Sequence, residues 1–421
     1  MIANLALALV SAGVLAYEVL LVRLFAIVQW HHFAFMAISI ALLGFGAAGS
    51  MLALAQDRLR RHAAASFAGA AVLFALSAPL AFLAAQAIPF NAKAVVWDPW
   101  QLAALPAMYL VLVVPFFFGA GYIALAFLQP GARPGRVYAV NLLGSGAGAL
   151  GIVGALFLLS PADGLRLVAG LGLAAALLVL LDERRMLATG LAALGLLACA
   201  AMPESWLALR ISPYKSLSTA LAVSDARLLE ERSSPLGLLS VVESPAVPFR
   251  YVPGLSLTAP AMPPEQLGVF IDGDGMTAID RGAERDYLGY TTDAAAYGLL
   301  DRPTVLVLGA GGGRSVAQAL LHDATHIDAV ELDANMAELV RSYASDLHDR
   351  SEVAWHIGEA RGFVTASDMA WDLIQIPLLD AMAGSGMHGL NESYLYTVEA
   401  FETYLAHLAP GGWLSITRWL R

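Results

Sequence analysis

The sequence predicts an α-helical membrane bundle followed by an α/β domain with a doubly wound parallel sheet. The 421 residues are 58% hydrophobic and 14% charged, with a mean hydropathy of +0.67, which is too apolar for one soluble domain. Long apolar runs are confined to the first half of the chain. In the second half, short apolar strands alternate with helical patterns, a spacing typical of a parallel sheet.

Charge divides the chain in the same way. Residues 1–202 contain 10 Lys and Arg against 6 Asp and Glu, and the remainder contains 14 against 28. The acidic second half argues against nucleic acid as a partner. The single cysteine, Cys199, lies in an apolar run, which excludes an internal disulfide and a cysteine-based metal cluster. We expect no metal site.

Residues 1–202 are predicted to form a polytopic transmembrane domain. Seven runs are apolar and long enough to be candidate spans, although six or eight spans stay open: 4–28, 33–55, 64–88, 102–128, 138–159, 165–181 and 186–202. The first run is no cleavable signal, because it carries Glu18 and Arg23 and another span follows at once. Glycines such as Gly144, Gly148 and Gly151 are predicted to let helices pack closely in lipid.

Residues 203–281 are predicted to form a small, loop-rich β-subdomain. Prolines punctuate this segment, β-like pieces occur at 237–243 and 267–271, and Asp272-Gly273-Asp274-Gly275 is a turn signal between strands. A helix over about 285–300 then delivers the chain to the parallel sheet, whose domain covers 282–421.

The parallel sheet is predicted to begin at 304–308, an apolar, β-branched run that enters a glycine turn. Gly309, Gly311 and Gly313 let the backbone turn tightly and let a ligand approach it closely. Glu331 closes the second strand, where an acid can accept hydrogen bonds from a ribose diol. This βαβ unit therefore predicts nucleoside binding.

Further βα alternation completes a doubly wound, Rossmann-like sheet. Strands are predicted at 352–357, 371–376 and 413–417, the last after the turn Pro410-Gly411-Gly412, and helices at 334–344, after Gly358, and at 393–408. Ligands of such sheets bind at the carboxyl ends of the strands, where Glu359, Gln375 and Asp380 also fall. Because this fold usually continues with two more strands, the domain is expected to be incomplete at its carboxyl end.

The glycine pattern indicates which nucleoside is bound. A dinucleotide fingerprint has glycine at the sixth position of G-x-G-x-x-G, where this chain has Arg314. The pattern Gly309-x-Gly311-x-Gly313 instead resembles the first motif of class I S-adenosylmethionine-dependent transferases. That resemblance implies Glu331 at the ribose, Glu359 near the adenine, and S-adenosylmethionine or its decarboxylated form as the cofactor.

Other motifs resemble the spermidine/spermine synthase family, in particular bacterial members with an amino-terminal multi-span membrane region. The motifs are Val241-Val242-Glu243-Ser244, Ile271-Asp272-Gly273, the segment Tyr287–Tyr290, Tyr17-Glu18-Val19-Leu20 with Arg23, and Tyr138-Ala139-Val140-Asn141-Leu142-Leu143-Gly144. The resemblance implies a membrane-bound transferase that moves an aminopropyl or methyl group to an acceptor, with Tyr290 and Gln375 toward the substrate.

Three positions depart from the polyamine-synthase pattern. Gly312 stands where the family has the aspartate that binds the aminopropyl amine, and Tyr290-Thr291-Thr292 stands for Tyr-His-Glu. Pro377 replaces the aspartate that acts as base, and only Asp380 matches the second acid, which makes it the predicted catalytic residue. Ordinary spermidine synthesis is therefore disfavoured. Arg314 is a candidate for binding a carboxylate, which would suit intact S-adenosylmethionine.

Two functions stay open. The first is a membrane-bound S-adenosylmethionine-type transferase that acts on a small amine or a lipid headgroup. The second is a non-catalytic membrane transporter or sensor with a degenerate nucleoside-binding domain. The oligomeric state is also open, with a homodimer as one alternative.

The side of the membrane is predicted in two conflicting ways. The connections after the second, fourth and sixth runs hold Arg58, Arg60, Arg61, Arg133, Arg136, Arg184 and Arg185. The positive-inside rule places them in the cytoplasm of a bacterial inner membrane, and with seven spans the residues after 203 would lie outside. A nucleoside cofactor made in the cytosol instead favours a cytoplasmic soluble domain.

Overall fold

The computed structural model describes residues 2–29, 34–91, 94–282, 284–378 and 394–418. Its internal contacts divide the chain into two compact units, Met1–Arg210 and Ile211–Arg421. The first unit is helical, and the second contains two β-sheets with their helices. The predicted combination of a helical, apolar amino-terminal region and a carboxy-terminal parallel sheet is confirmed.

The first unit consists of apolar helices that coincide with the predicted runs. They are α1 Ile2–Val28, α2 Ala34–Arg61, α3 Ala63–Ala87, α4 Gln101–Phe127, α5 Pro134–Ala155, α6 Pro161–Asp182 and α7 Met186–Ala200. Among the described residues, six helices, α1 to α6, are long and apolar enough to cross a membrane. Helix α7 has 15 residues and is shorter than the others.

Glycines allow α1 and α5 to pack with their backbones close together. A Cβ atom added to Gly148 would lie 2.1 Å from the carbonyl oxygen of Ala12, and one added to Gly144 would lie 2.6 Å from that of Ala8. Only glycine fits at such a contact. In the described part of the chain, no atom of another helix lies within 4 Å of a Cβ added to Gly151, so the prediction that it shares this contact is wrong. The buried residues of α5 continue in steps of four from Gly144 through Gly148 to Ile152, and Gly151 lies outside that row.

The second unit begins with a four-stranded antiparallel sheet in the order β1-β2-β3-β4. The strands are β1 Arg227–Ser233, β2 Leu238–Glu243, β3 Gln266–Ile271 and β4 Asp274–Asp280, and helix α8, Ser216–Leu221, precedes them. The two predicted β-like pieces correspond to β2 and β3. Strand β1 was not predicted, because four of its seven residues are charged and its two leucines, Leu228 and Leu229, are adjacent, so it lacks an apolar alternation.

The second sheet has five parallel strands in the order β7-β6-β5-β8-β9. The strands are β5 Thr304–Leu308, β6 His326–Glu331, β7 Val353–Ile357, β8 Trp371–Ile376 and β9 Leu408–Ile416. The helices are α9 Arg314–Leu321, α10 Ala334–Tyr343, α11 Ser345–His348, α12 Ala360–Ala366 and α13 Val398–Ala406. Helices α9 and α10 pack on one face, and α12 and α13 pack on the other. The doubly wound sheet was therefore predicted correctly.

Two local predictions were wrong. The helix expected over 285–300 is a pair of 3-10 helices, Asp286–Tyr290 and Thr292–Leu299, because the backbone at Thr291 is extended and interrupts it. The turn expected at Pro410-Gly411-Gly412 lies inside β9. Gly411 has a φ of +84°, and the pairing with β8 shifts register there, so the strand continues through an irregularity instead of starting after it.

Candidate functional site

The predicted site residues converge on one edge of the parallel sheet. The glycine loop follows β5, Glu331 ends β6, and Glu359 follows β7 by two residues. The carboxyl ends of parallel strands share an edge, and the strand order reverses between β5 and β8 at this edge. Such a reversal opens a crevice, so the fold positions these residues for ligand binding.

The glycine loop requires glycine at three positions. Gly309, Gly311 and Gly313 have φ angles of +90°, +52° and +88°, which place them in the left-handed region. The backbone N–H groups of Gly309 and Ala310 both donate to the carbonyl oxygen of Val330, at 2.9 and 3.0 Å. The loop is thus fastened to the end of β6 by its own backbone.

Glu331 binds the glycine loop as well as its own turn. Its Oε2 accepts a hydrogen bond from the N–H of Gly311 at 2.8 Å, and its Oε1 accepts from Leu332 and Asp333 at 2.9 and 3.1 Å. An ionised carboxylate offers about four acceptor sites. Three of these acceptor sites are filled, so about one remains. Glu331 can therefore accept a hydrogen bond from one ribose hydroxyl and still hold the glycine loop.

The charge state of Glu331 reflects its enclosure. Desolvation raises the pKa of this carboxyl above its ordinary value, and the hydrogen bonds from backbone N–H groups oppose that shift. Binding of a ribose hydroxyl requires an acceptor oxygen. The affinity of the site for a nucleoside should therefore respond to pH in the range where Glu331 titrates.

Strand β4 closes the loop at Gly312. A Cβ atom added to Gly312 would lie 2.1 Å from the carbonyl oxygen of Ala278 and 3.2 Å from the Oγ1 of Thr277. The N–H of Gly312 also donates to that Oγ1 at 3.4 Å. An aspartate therefore does not fit at position 312, where polyamine synthases hold the aminopropyl amine. The glycine loop and Glu331 fit a nucleoside, but position 312 supplies no carboxylate.

Arg314 lies at the first residue of α9 and faces a buried acid. Its guanidinium is 3.6 Å from the Oδ2 of Asp293, whose side chain is 2% exposed. Neither carboxylate oxygen of Asp293 has a hydrogen-bond partner among the described residues. Arg314 also lines a small cleft with Asp280 and Arg285. The positive charge predicted to attract a ligand carboxylate is thus already balanced within the chain.

Gln375 belongs to a buried hydrogen-bond network below the edge. Its Oε1 accepts from the hydroxyl of Tyr297 at 2.8 Å, and its Nε2 donates to the Oε1 of Gln318 at 2.9 Å. Gln318 in turn donates to the Oγ1 of Thr291 at 2.8 Å. Burial, followed by the charge of Asp293, raises the pKa of Tyr297, which keeps its hydroxyl protonated as the donor. Both polar ends of Gln375 are therefore engaged within the chain.

Three predicted site residues remain: Tyr290, Glu359 and Asp380. Tyr290 ends the first 3-10 helix and is 43% exposed. Glu359 caps helix α12, accepting from the N–H groups of Arg361 and Gly362 at 2.9 and 2.6 Å. Asp380, the predicted catalytic residue, lies outside the described residues. The roles predicted for these three residues stay predictions.

Three residues at the site were not predicted from the sequence. Thr277 covers the glycine loop, Asp293 pairs with Arg314, and Gln318 joins the network of Gln375. Gln318 carried a readable signal, because a polar residue on the apolar face of a helix needs a buried partner. Thr277 and Asp293 reach the site through tertiary contacts that no local pattern encodes.

Comparison with known proteins concerns the carboxy-terminal part of the chain. Residues 289–417 match the family model of the spermine/spermidine synthase domain. The chain matches none of the curated proteins in sequence.

Two solved structures are similar to this chain over less than half of its length. The spermidine synthase from Thermotoga maritima is 19% identical, with a TM-score of 0.32 over 45% of this chain and 55% of that chain. A spermidine synthase in complex with the transition state analogue AdoDATO is 19% identical, with a TM-score of 0.30 over 43% of this chain and 53% of that chain. The match spans about half the length of both enzymes. Residues 289–417 thus match the spermine/spermidine synthase domain model, and in the described part of the chain they follow a region of six long apolar helices.

Proposed function

We propose that this chain is a membrane-bound transferase that uses an S-adenosylmethionine-type sulfonium nucleoside and acts on an amine acceptor. The observation that carries the proposal is the bond between Glu331 and the N–H of Gly311 at the open edge of the sheet. It joins a ribose acceptor to a glycine loop in a domain that matches a family of aminopropyl transferases.

The transfer reaction requires few contributions from the protein itself. A bound sulfonium supplies an electrophilic carbon, whose bond to sulfur breaks as the lone pair of the acceptor nitrogen bonds to it, and the electrons remain on sulfur. The chain must bind the nucleoside, orient the acceptor and remove its proton. Glu331 and the glycine loop serve the first task, and Asp380 is the proposed base for the last. Tyr290 is the proposed contact of the acceptor.

The absence of a carboxylate at Gly312 in the glycine loop indicates which group is transferred. An aminopropyl ammonium needs a carboxylate beside the sulfonium, and the backbone of β4 excludes one at Gly312. This favours intact S-adenosylmethionine and transfer of a methyl group. The pairing of Arg314 with Asp293 means that a ligand carboxylate would have to compete with an internal acid.

Product analysis tests this proposal. The full chain in detergent is incubated with either sulfonium nucleoside and with amine or lipid acceptors, and the nucleoside product is identified by mass spectrometry. Methyl transfer yields S-adenosylhomocysteine, and aminopropyl transfer yields methylthioadenosine. The second product would contradict the choice of a methyl group. If no acceptor gives either product, the non-catalytic transporter or sensor becomes the better account.

A further inference from the structure

The arginine-rich connections of the helical unit share one end. Ala68 near the start of α3 packs in one cluster with Leu180 near the end of α6, and Gly172 packs against Ala75 further along. Helices α3 and α6 are therefore antiparallel. This brings the end of α2, with its three arginines, to the same end as the connection between α6 and α7. The residues at this end are Arg58, Arg60, Arg61, Arg184 and Arg185.

The connection between α4 and α5 lies at that end too. Helix α5 runs parallel to α1, since Gly144 meets Ala8 and Gly148 meets Ala12. Helix α1 runs antiparallel to α6, since Gly164, near the start of α6, meets Leu20, near the end of α1. The start of α5, which carries two further arginines at 133 and 136, is thus beside the end of α6.

Helix α7 runs back along α6 to the opposite end. Ala192 packs with Leu180, and the Sγ of Cys199 lies 3.6 Å from the carbonyl oxygen of Arg166, near the start of α6. One turn later, the carbonyl oxygen of Met202 accepts from the guanidinium of Arg166 at 2.6 Å. The contacts of α7 therefore follow α6 over most of its length, which a helix lying flat at one surface would not do.

The segment after α7 stays at that opposite end. Leu207 is 1% exposed and belongs to the core of the helical bundle. The N–H of Arg210 donates to the Oε1 of Gln86 at 2.7 Å, and Gln86 is the penultimate residue of α3. Since α3 starts directly after the three arginines of α2, its last residues mark the other end. The chain leaves the helical unit there.

We infer that α7 is a seventh membrane crossing and that residues from Ile211 onward lie on the membrane face opposite the arginine-rich connections. The positive-inside rule assigns those connections to the cytoplasm, so the second unit is extracytoplasmic.

Helix α7 is short for a membrane crossing. It is about 22 Å long at 1.5 Å per residue, against a hydrocarbon core of about 30 Å, and local thinning of the bilayer can accommodate this difference. Four of its leucines are exposed at helical spacing and face lipid: Leu187, Leu191, Leu194 and Leu197.

This inference rests on contacts within the helical unit and on the distribution of its arginines, and it does not depend on the proposed function. It changes what the proposed function requires. The nucleoside and the acceptor have to be present on the extracytoplasmic face, so a transport step for a cytosolic sulfonium nucleoside must precede the transfer. Either proposal can fail while the other holds.

Cysteine accessibility tests the inference, because the chain has one cysteine, Cys199, and it is buried. In a Cys199→Ala background of the full chain, one variant carries Leu257→Cys in the second unit and another carries His62→Cys in the α2–α3 connection. Both positions are exposed. Spheroplasts of a bacterial expression host are treated with a membrane-impermeant maleimide. We expect Leu257→Cys to be labelled in intact spheroplasts and His62→Cys only after the membrane is opened.

Two results would overturn the inference: labelling of His62→Cys but not Leu257→Cys in intact spheroplasts, or equal protection of both. Protease digestion of the unmodified chain gives the same answer without a substitution. The second unit is expected to be digested in right-side-out vesicles and protected in inverted ones. Digestion only in the inverted vesicles would place it in the cytoplasm.

Discussion

Glu331 has two tasks that compete for the same oxygens. It anchors the glycine loop through Gly311 and its own turn through Leu332 and Asp333, and it keeps about one acceptor site for a ligand. A ribose diol held by both oxygens would have to displace one of these bonds. We therefore expect Glu331 to accept a hydrogen bond from one ribose hydroxyl and not from both.

The raised pKa of Glu331 leads to a prediction about pH. As pH falls through this pKa, the carboxylate gains a proton and loses acceptor capacity, so nucleoside affinity should decline at a pH above the ordinary range of glutamate. The pH dependence of the dissociation constant measures this. In Glu331→Gln, the decline should be absent. Retention of the same decline in that variant would assign it to another group.

The close approach of strand β4 to Gly312 leads to a prediction about stability. Gly312→Ala places a methyl group against the carbonyl oxygen of Ala278, so either β4 or the loop must move, at a cost of about 1–3 kcal/mol in the free energy of unfolding. Gly298→Ala is the matched control, because among the described residues no atom beyond its chain neighbours lies within 4 Å of the added Cβ. Denaturant unfolding of the full chain in detergent compares the two. Equal stability would show that β4 does not cover the loop.

Helices and strands were predictable from the sequence where a local pattern determines the structure. Strand β5 was predicted because its buried, β-branched residues run straight into a glycine loop, and this signal needs no tertiary information. Strand β1 and the break at Thr291 were missed, because neither is set by apolar periodicity. The cover of Thr277 over the loop depends on how two sheets pack, which no single segment reveals.

Contact between α1 and α5 gives a prediction for the helical unit. Gly148→Ala brings a methyl group against the backbone of Ala12 and should separate the two helices, lowering the midpoint of thermal unfolding in detergent. Gly151→Ala on the same helix adds the same methyl group where, among the residues that the structure describes, no atom of another helix lies within 4 Å. The control should unfold at the temperature of the unmodified chain. Equal destabilisation by both would indicate a loss of helix geometry instead of a lost contact.

For the whole molecule, the division of charge follows the division of structure. The net charge is +4 over residues 1–202 and −14 over the remainder, and the boundary between the compact units falls nearby, after Arg210. Composition alone predicted this organisation, since a bilayer and water demand different surfaces. Composition could not say on which side of the membrane the second unit lies, because that depends on whether the short helix α7 crosses.

We expect the edge formed by the glycine loop and Glu331 to bind an S-adenosyl nucleoside. Calorimetric titration of the full chain in detergent with methylthioadenosine, S-adenosylmethionine and its decarboxylated form measures this binding. Loss of a hydrogen bond to a charged group costs about 1.5–3 kcal/mol, so Glu331→Ala should weaken binding by about 10- to 150-fold. Glu338→Gln, an exposed change on α10, should leave the affinity unchanged. Binding that is equally tight in Glu331→Ala, or no binding of any of the three by the unmodified chain, would contradict the claim.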